Sequence, residues 1–120
     1  MRLLEAVRTG LRAARVPGSV AAKVMAEIEE ALARYAIVDE RELFKLPEWN
    51  LWLIVVKSIL SPATRMLRRE GFCHANNMLI SSIMVLDERI AKLVREWVRA
   101  RCEAGLDPCC RNPPCCNIVV

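Results

Sequence analysis

Between Asn76 and Cys102 the large apolar residues fall at Leu79, Ile83, Leu86, Ile90, Leu93 and Trp97, in alternating steps of four and three. That rhythm places all six on one stripe of a helix, as a heptad seam does. Asn76 or Asn77 can cap the start, and Gly105 can end it in a left-handed conformation. The spacing therefore predicts one C-terminal helix of roughly 40 Å. A rod of that length has to lie against other helices, in its own chain or in a partner's.

The 120 residues fit one domain, and a hydrophobic share of 54% means that nearly every element buries a face. Net charge is only +4, but the cations are fourteen Arg against four Lys. Arginine suits bidentate contacts to phosphate or carboxylate. Gln is absent, and few labile amides with many ion-pair formers suit a hot-environment protein. Met1-Arg2 opens an amphipathic segment and not a signal peptide. The most apolar runs, Leu51–Val56 and Met78–Leu86, fall short of the ~20 residues that span a bilayer.

Residues 2–16 read as a first helix, with Leu3, Leu4, Val7, Leu11 and Ala14 on one face. Arg8, Arg12 and Arg15 share an adjacent stripe, and Arg2 extends the charge. Pro17-Gly18 breaks this helix, and Ser19 can cap the next. Residues 20–37 bury Val24, Ile28, Ala31, Leu32 and Tyr35 and expose Lys23, Glu27, Glu30 and Arg34. Ala22, Ala26, Ala33 and Ala36 form a third edge where another helix can approach closely.

Asp39 with Glu42 three residues later is a capping box for a short helix through Leu43, Phe44 and Leu46. Residues 48–60 are apolar nearly all round, which predicts the central helix of a bundle with Trp49 and Trp52 as core anchors. Ser61-Pro62 restarts the helix, residues 63–70 carry Arg65, Arg68 and Arg69, and Gly71-Phe72 stops it. On the last helix Glu88 pairs with Lys92, and Arg95, Arg99 and Arg101 leave a basic end.

The cysteine candidates are Cys73, Cys102, Cys109, Cys110, Cys115 and Cys116, four of them in a repeated Pro-Cys-Cys within the tail 105–120. No CxxC pair is present, so disulfide stapling leads over zinc and no metal site is expected. An unbroken last helix would hold Cys73 and Cys102 at opposite ends and exclude a bond between them.

The fold class expected is all-α. It is a bundle of about five helices, with a helix-turn-helix arm over 1–37, a bundle over 39–104 and a Cys/Pro-rich tail. An enzyme is not expected. The single His74 beside Cys73, the absence of a glycine-rich phosphate loop and the absence of any Ser–His–acid set leave nothing to catalyse with and call for no cofactor. Two helices around Val16-Pro17-Gly18-Ser19 have the outline of a helix-turn-helix regulator, but the second helix lacks a basic, base-reading face. A helical protein-interaction module is the other alternative.

The layout of an N-terminal helix-turn-helix arm at Pro17-Gly18 followed by a helical bundle resembles the major capsid proteins of filamentous viruses of hyperthermophilic archaea. That resemblance implies a virion subunit that packs against itself or a paralogous subunit and wraps double-stranded DNA, held in the A form, between helical arms. It implies that Arg8, Arg12 and Arg15 face phosphates with Arg2 nearby, and the second cluster, Arg65, Arg68 and Arg69, resembles the first. Outside a particle, the expected setting is the cytoplasm of a thermophile.

Overall fold

The computed structural model describes residues 1–104 and is helical throughout, with no strand among those residues. In order come α1 (Arg2–Ala13), α2 (Gly18–Arg34), α3 (Arg41–Phe44) and α4 (Glu48–Trp52). A π-helical segment (Leu53–Leu60), α5 (Ser61–Arg69), a 3-10 turn (Cys73–Ala75), α6 (Asn76–Met84) and α7 (Glu88–Glu103) follow. Gly105, Cys109, Cys110, Cys115 and Cys116 lie outside the described residues.

Helix α1 buries Leu3, Val7 and Leu11 and packs most extensively on α6. Segment 1–37 therefore shares the core of the helices that follow it. Gly10 sets the approach: a Cβ there would stand 3.0 Å from the Met78 carbonyl oxygen and 3.1 Å from Ser82 Oγ. The start of α1 is tied down by a distant residue. The Arg2 N–H donates to Oε1 of the buried Glu40 at 3.2 Å, a carboxylate at the positive end of the helix.

Helices α1, α2 and α5 end in the same way. Val16 N–H donates to Leu11 O, Ile37 N–H to Leu32 O and Phe72 N–H to Leu67 O, each closing a six-residue loop around a left-handed residue. Those residues are Arg15, Ala36 and Gly71, with φ of 59°, 56° and 87°. In each case the apolar residue after the stop packs back on the core, as this motif requires. The stop at Gly71-Phe72 matches the expectation. Helix α2 starts and ends earlier than expected, and Ser19 lies inside it while Pro17 stands at the cap.

The capping box forms. Glu42 Oε1 accepts from Asp39 N–H at 3.0 Å and Val38 N–H at 3.1 Å, and Asp39 Oδ1 accepts from Arg41 N–H at 2.9 Å.

From Glu48 to Arg69 the backbone stays helical without a stop: Leu53, Leu60 and Ser61 all have right-handed helical dihedrals. The expected restart at Ser61-Pro62 does not occur. Pro62 has no N–H to offer the Ser58 carbonyl four residues back, and its ring crowds that oxygen. Widening to the i+5 register of a π-helix is the response open to a continuous helix. Ser58 Oγ donates to the Leu53 carbonyl at 2.9 Å along the widened turn and lies 3.1 Å from Tyr35 Oη. Leu51, Ile54, Val55, Val56, Ile59 and Leu60 are buried, as a segment apolar nearly all round requires. Trp49 is not a core anchor: it is 67% exposed and stacks on the half-buried Trp52 with ring centroids 5.3 Å apart.

The predicted single rod from Asn76 to Cys102 is two helices with a corner at 85–87. Asp87 is extended (φ −160°, ψ 144°) and its Oδ1 accepts from Arg89 N–H at 2.8 Å and Ile90 N–H at 3.4 Å. An aspartate that supplies two orphan donors with a partner starts a new helix more strongly than the heptad extends the old one. Neither Asn76 nor Asn77 caps α6 with its side chain, because the 3-10 turn leads straight into it. The seam is still buried: Leu79, Ile83, Ile90 and Leu93 are in the core, and Leu86 and Trp97 pack against it. With the rod broken, its length no longer separates Cys73 from Cys102. Neither is a free thiol.

Candidate functional site

Several charged side chains are committed to the fold. Lys23 Nζ on α2 meets Glu70 Oε1 at 3.1 Å, Arg41 Nη2 meets Asp39 Oδ2 at 2.7 Å, and Arg95 Nη2 meets Glu88 Oε1 at 3.2 Å. Glu88 thus pairs with Arg95 and not with Lys92. Arg89 donates from Nη1 to the Phe44 carbonyl and from Nη2 to the Leu46 carbonyl, both at 2.6 Å. It closes the C-terminal end of α3 and ties it to α7.

The candidate phosphate-facing arginines divide into three places. Arg8, Arg12 and Arg15 are exposed on the outer side of α1 and its terminal turn, and their side chains make no hydrogen bond or ion pair among the described residues. Arg2 is also exposed but sits in a shallow concavity with Glu5, Asp39, Glu40 and Arg41, an acid-rich setting unlike that of the other three. Within it Asp39 is already paired: the hydrogen bonds from the Arg41 guanidinium and amide hold its carboxyl below the usual range.

Arg65, Arg68 and Arg69 come from the face and last turn of α5. Positions 61, 64, 65 and 68 are three and four apart, so Ser61, Thr64, Arg65 and Arg68 lie together on one side of the helix. They line a concavity of about 260 Å³ whose other wall is Arg101, from the last turn of α7. Among the described residues its lining contains no carboxylate. Arg69 is exposed and does not line it. The Arg101 guanidinium lies over the Trp97 ring, 5.2 Å from its centroid. The Thr64 hydroxyl is buried and donates to the Leu60 carbonyl at 2.9 Å.

The sequence flags the basic last turn of α7 but not its meeting with α5. That meeting depends on the corner at 85–87. Continued straight from Asn76, whose leading turn packs beside α5, Arg101 would be carried roughly 40 Å away.

Other chemistry-bearing groups are dispersed. His74 is exposed, with its ring tilted beside Phe72 at 6.0 Å. Among the described residues no group of three or more His, Cys, Asp or Glu is placed to hold a metal ion, and no helix is long and apolar enough to cross a membrane. No protein family, curated protein or solved structure matches the chain.

Proposed function

We propose that this protein is a structural subunit that coats nucleic acid through sequence-independent arginine–phosphate contacts, with double-stranded DNA as the ligand and a particle such as a virion as its setting. One observation carries the reading. Lys23, Arg41, Arg89 and Arg95 engage partners within the fold, whereas the side chains of Arg8, Arg12, Arg15, Arg65, Arg68 and Arg69 have none among the described residues, as is also true of Arg34, Lys45, Lys57, Lys92 and Arg99. Arginines held on rigid helices without carboxylates are suited to phosphates, which fix position and carry no sequence information. Copies of the chain would pack through faces such as the exposed Ala22, Ala26 and Ala33 edge of α2. Cys73 and Cys102 would be stapled by disulfides with the tail cysteines.

The test is binding of a short DNA duplex across a salt series, with the triple variant Arg8→Ala, Arg12→Ala, Arg15→Ala beside the natural chain. The slope of log K against log salt should fall by roughly 2 to 3 in the triple variant, near 0.9 for each phosphate that is no longer neutralised. Absence of duplex binding at low salt would exclude the reading. A helical interaction module is the second reading, favoured by the exposed Trp49. It requires an unchanged assembly and no DNA binding in the same experiment. A helix-turn-helix regulator fits less well, because α2 exposes Glu29 and Glu30 where a reading helix would present basic groups.

A further inference from the structure

We propose that Trp49 inserts into a second copy of this chain, in the apolar hollow between the start of α1 and the end of α2. The proposal rests on the reading above only in taking the chain as an assembly subunit, and it makes no use of nucleic acid.

The knob is the first argument. Trp49 stands on the first turn of α4 and is 67% exposed. Its ring stacks on Trp52 with centroids 5.3 Å apart and 19° between the planes. Trp52 packs against the core, so the stack fixes the direction of the outer ring. A side chain already held in place loses little freedom on binding, and tryptophan is enriched among the residues that anchor protein contacts.

The hollow is the second argument. It measures about 440 Å³, a size that takes a ring-sized group, and Leu4, Leu32, Ala33, Ile37 and Val38 line it together with Glu29. Its far wall is built by the backbone. Ala36 is left-handed, Ile37 N–H donates to Leu32 O, and Val38 N–H donates to Glu42 Oε1. Val38 is 83% exposed, so apolar surface continues past the rim. A buried indole N–H needs an acceptor, and the Glu29 carboxylate in the lining can supply it.

Charge is the third argument. One residue along α4 from Trp49, Glu48 shares a concavity with Arg89 and Lys92 of α7, a surplus of one positive side chain among those described. Around the hollow the surplus is negative. Glu29 and the adjoining Glu5, Asp39 and Glu40 stand against Arg2 and Arg41, four acids to two cations. Knob on hollow therefore brings opposite charges together, whereas knob on knob sets like charges face to face.

The full chain, freed of nucleic acid by nuclease, is followed by sedimentation velocity over a concentration series. Trp49→Ala, Ala33→Arg and their equimolar mixture are run beside it. Both positions are exposed, and denaturant unfolding checks that each variant keeps its fold. The natural chain should self-associate, with its tryptophan emission moving to shorter wavelength. Each variant alone should associate with itself at least about thirtyfold more weakly, the loss expected for an anchor of this kind. The mixture should form a 1:1 dimer and stop there, because Trp49→Ala keeps the hollow and Ala33→Arg keeps the knob. A natural chain that stays monomeric, self-association untouched by either substitution, or a mixture that does not dimerise would each overturn the contact. A 1:1 dimer from a chain that binds no duplex would uphold the contact and overturn the nucleic-acid reading.

Discussion

The stretch from Glu48 to Arg69 and the pair α6–α7 lie in the same core and bury similar aliphatic side chains, yet one runs straight through a proline and the other turns at an aspartate. In the first, Pro62 removes one backbone donor, and the helix keeps its direction by widening to the π register over Leu53–Leu60. In the second, no donor is removed. Asp87 instead offers an acceptor to the first amides of a new helix, and the chain changes direction at 85–87. A missing donor is thus absorbed locally, whereas a well-placed acceptor redirects the chain. Apolar periodicity is nearly silent on the choice, because a four-three stripe is buried on either side of the corner.

The largest expected effect comes from disturbing what the corner leans on. Helix α6 lies against α1 at Gly10, where any side chain meets the Met78 backbone carbonyl. Gly10→Val should cost about 3 kcal/mol, the upper range for overpacking, because a backbone atom cannot swing aside as a flexible side chain can. Denaturant unfolding should show a lower midpoint with an unchanged slope. Gly18→Ala is the control, since no heavy atom lies within 4 Å of the added Cβ. If Gly10→Val loses less than about 1 kcal/mol, α6 is free to shift against α1, and Asp87 alone sets the corner.

Removing the acceptor should matter less. Asp87→Ala leaves the Arg89 and Ile90 amides without their side-chain partner and should cost about 1 kcal/mol. Asp87→Asn should retain most of the stability, because the amide oxygen still accepts. A gain in stability with Ala, accompanied by loss of fast amide exchange at 85–87, would mean that α6 and α7 fuse when permitted. The heptad would then be the stronger signal after all.

How far these features could be read from the sequence follows the same division. The all-helical class, the buried seam at Leu79, Ile83, Ile90 and Leu93, the Asp39–Glu42 box and the stop at Gly71 were legible, since each rests on residues a few positions apart. The stops at Arg15 and Ala36 were not: neither residue favours a left-handed backbone, and only tertiary packing of Val16 and Ile37 compensates for the strain. The Arg89 tie to Phe44 and Leu46 and the Glu40 cap on α1 join residues some forty positions apart, beyond the reach of any local pattern. The candidate site divides likewise. Its α5 half is visible as Arg65 and Arg68 three apart, while Arg101 joins them only through the corner. The corner itself was legible in Leu86-Asp87-Glu88, a cap followed by an acidic first turn, but the longer apolar rhythm masked it.

The smallest effect separates the two forces on the π-helical segment. Pro62 disfavours the ordinary register beside it, and the buried Ile54, Val55, Val56 and Ile59 hold the phase of the widened one. Pro62→Ala restores a donor at a position where proline in a helix interior costs up to about 3 kcal/mol relative to alanine. Returning to the α register would rotate each of those four side chains out of its place in the core, at a cost of the same order as the gain. The variant should therefore keep the π-helical segment and gain only about 0.5 kcal/mol, measured by denaturant unfolding, with a structure of the variant to check the register. A gain near 3 kcal/mol with the segment contracted to an α-helix would assign the distortion to the proline alone. The core around Leu53–Leu60 would then be a follower of the backbone and not a restraint on it.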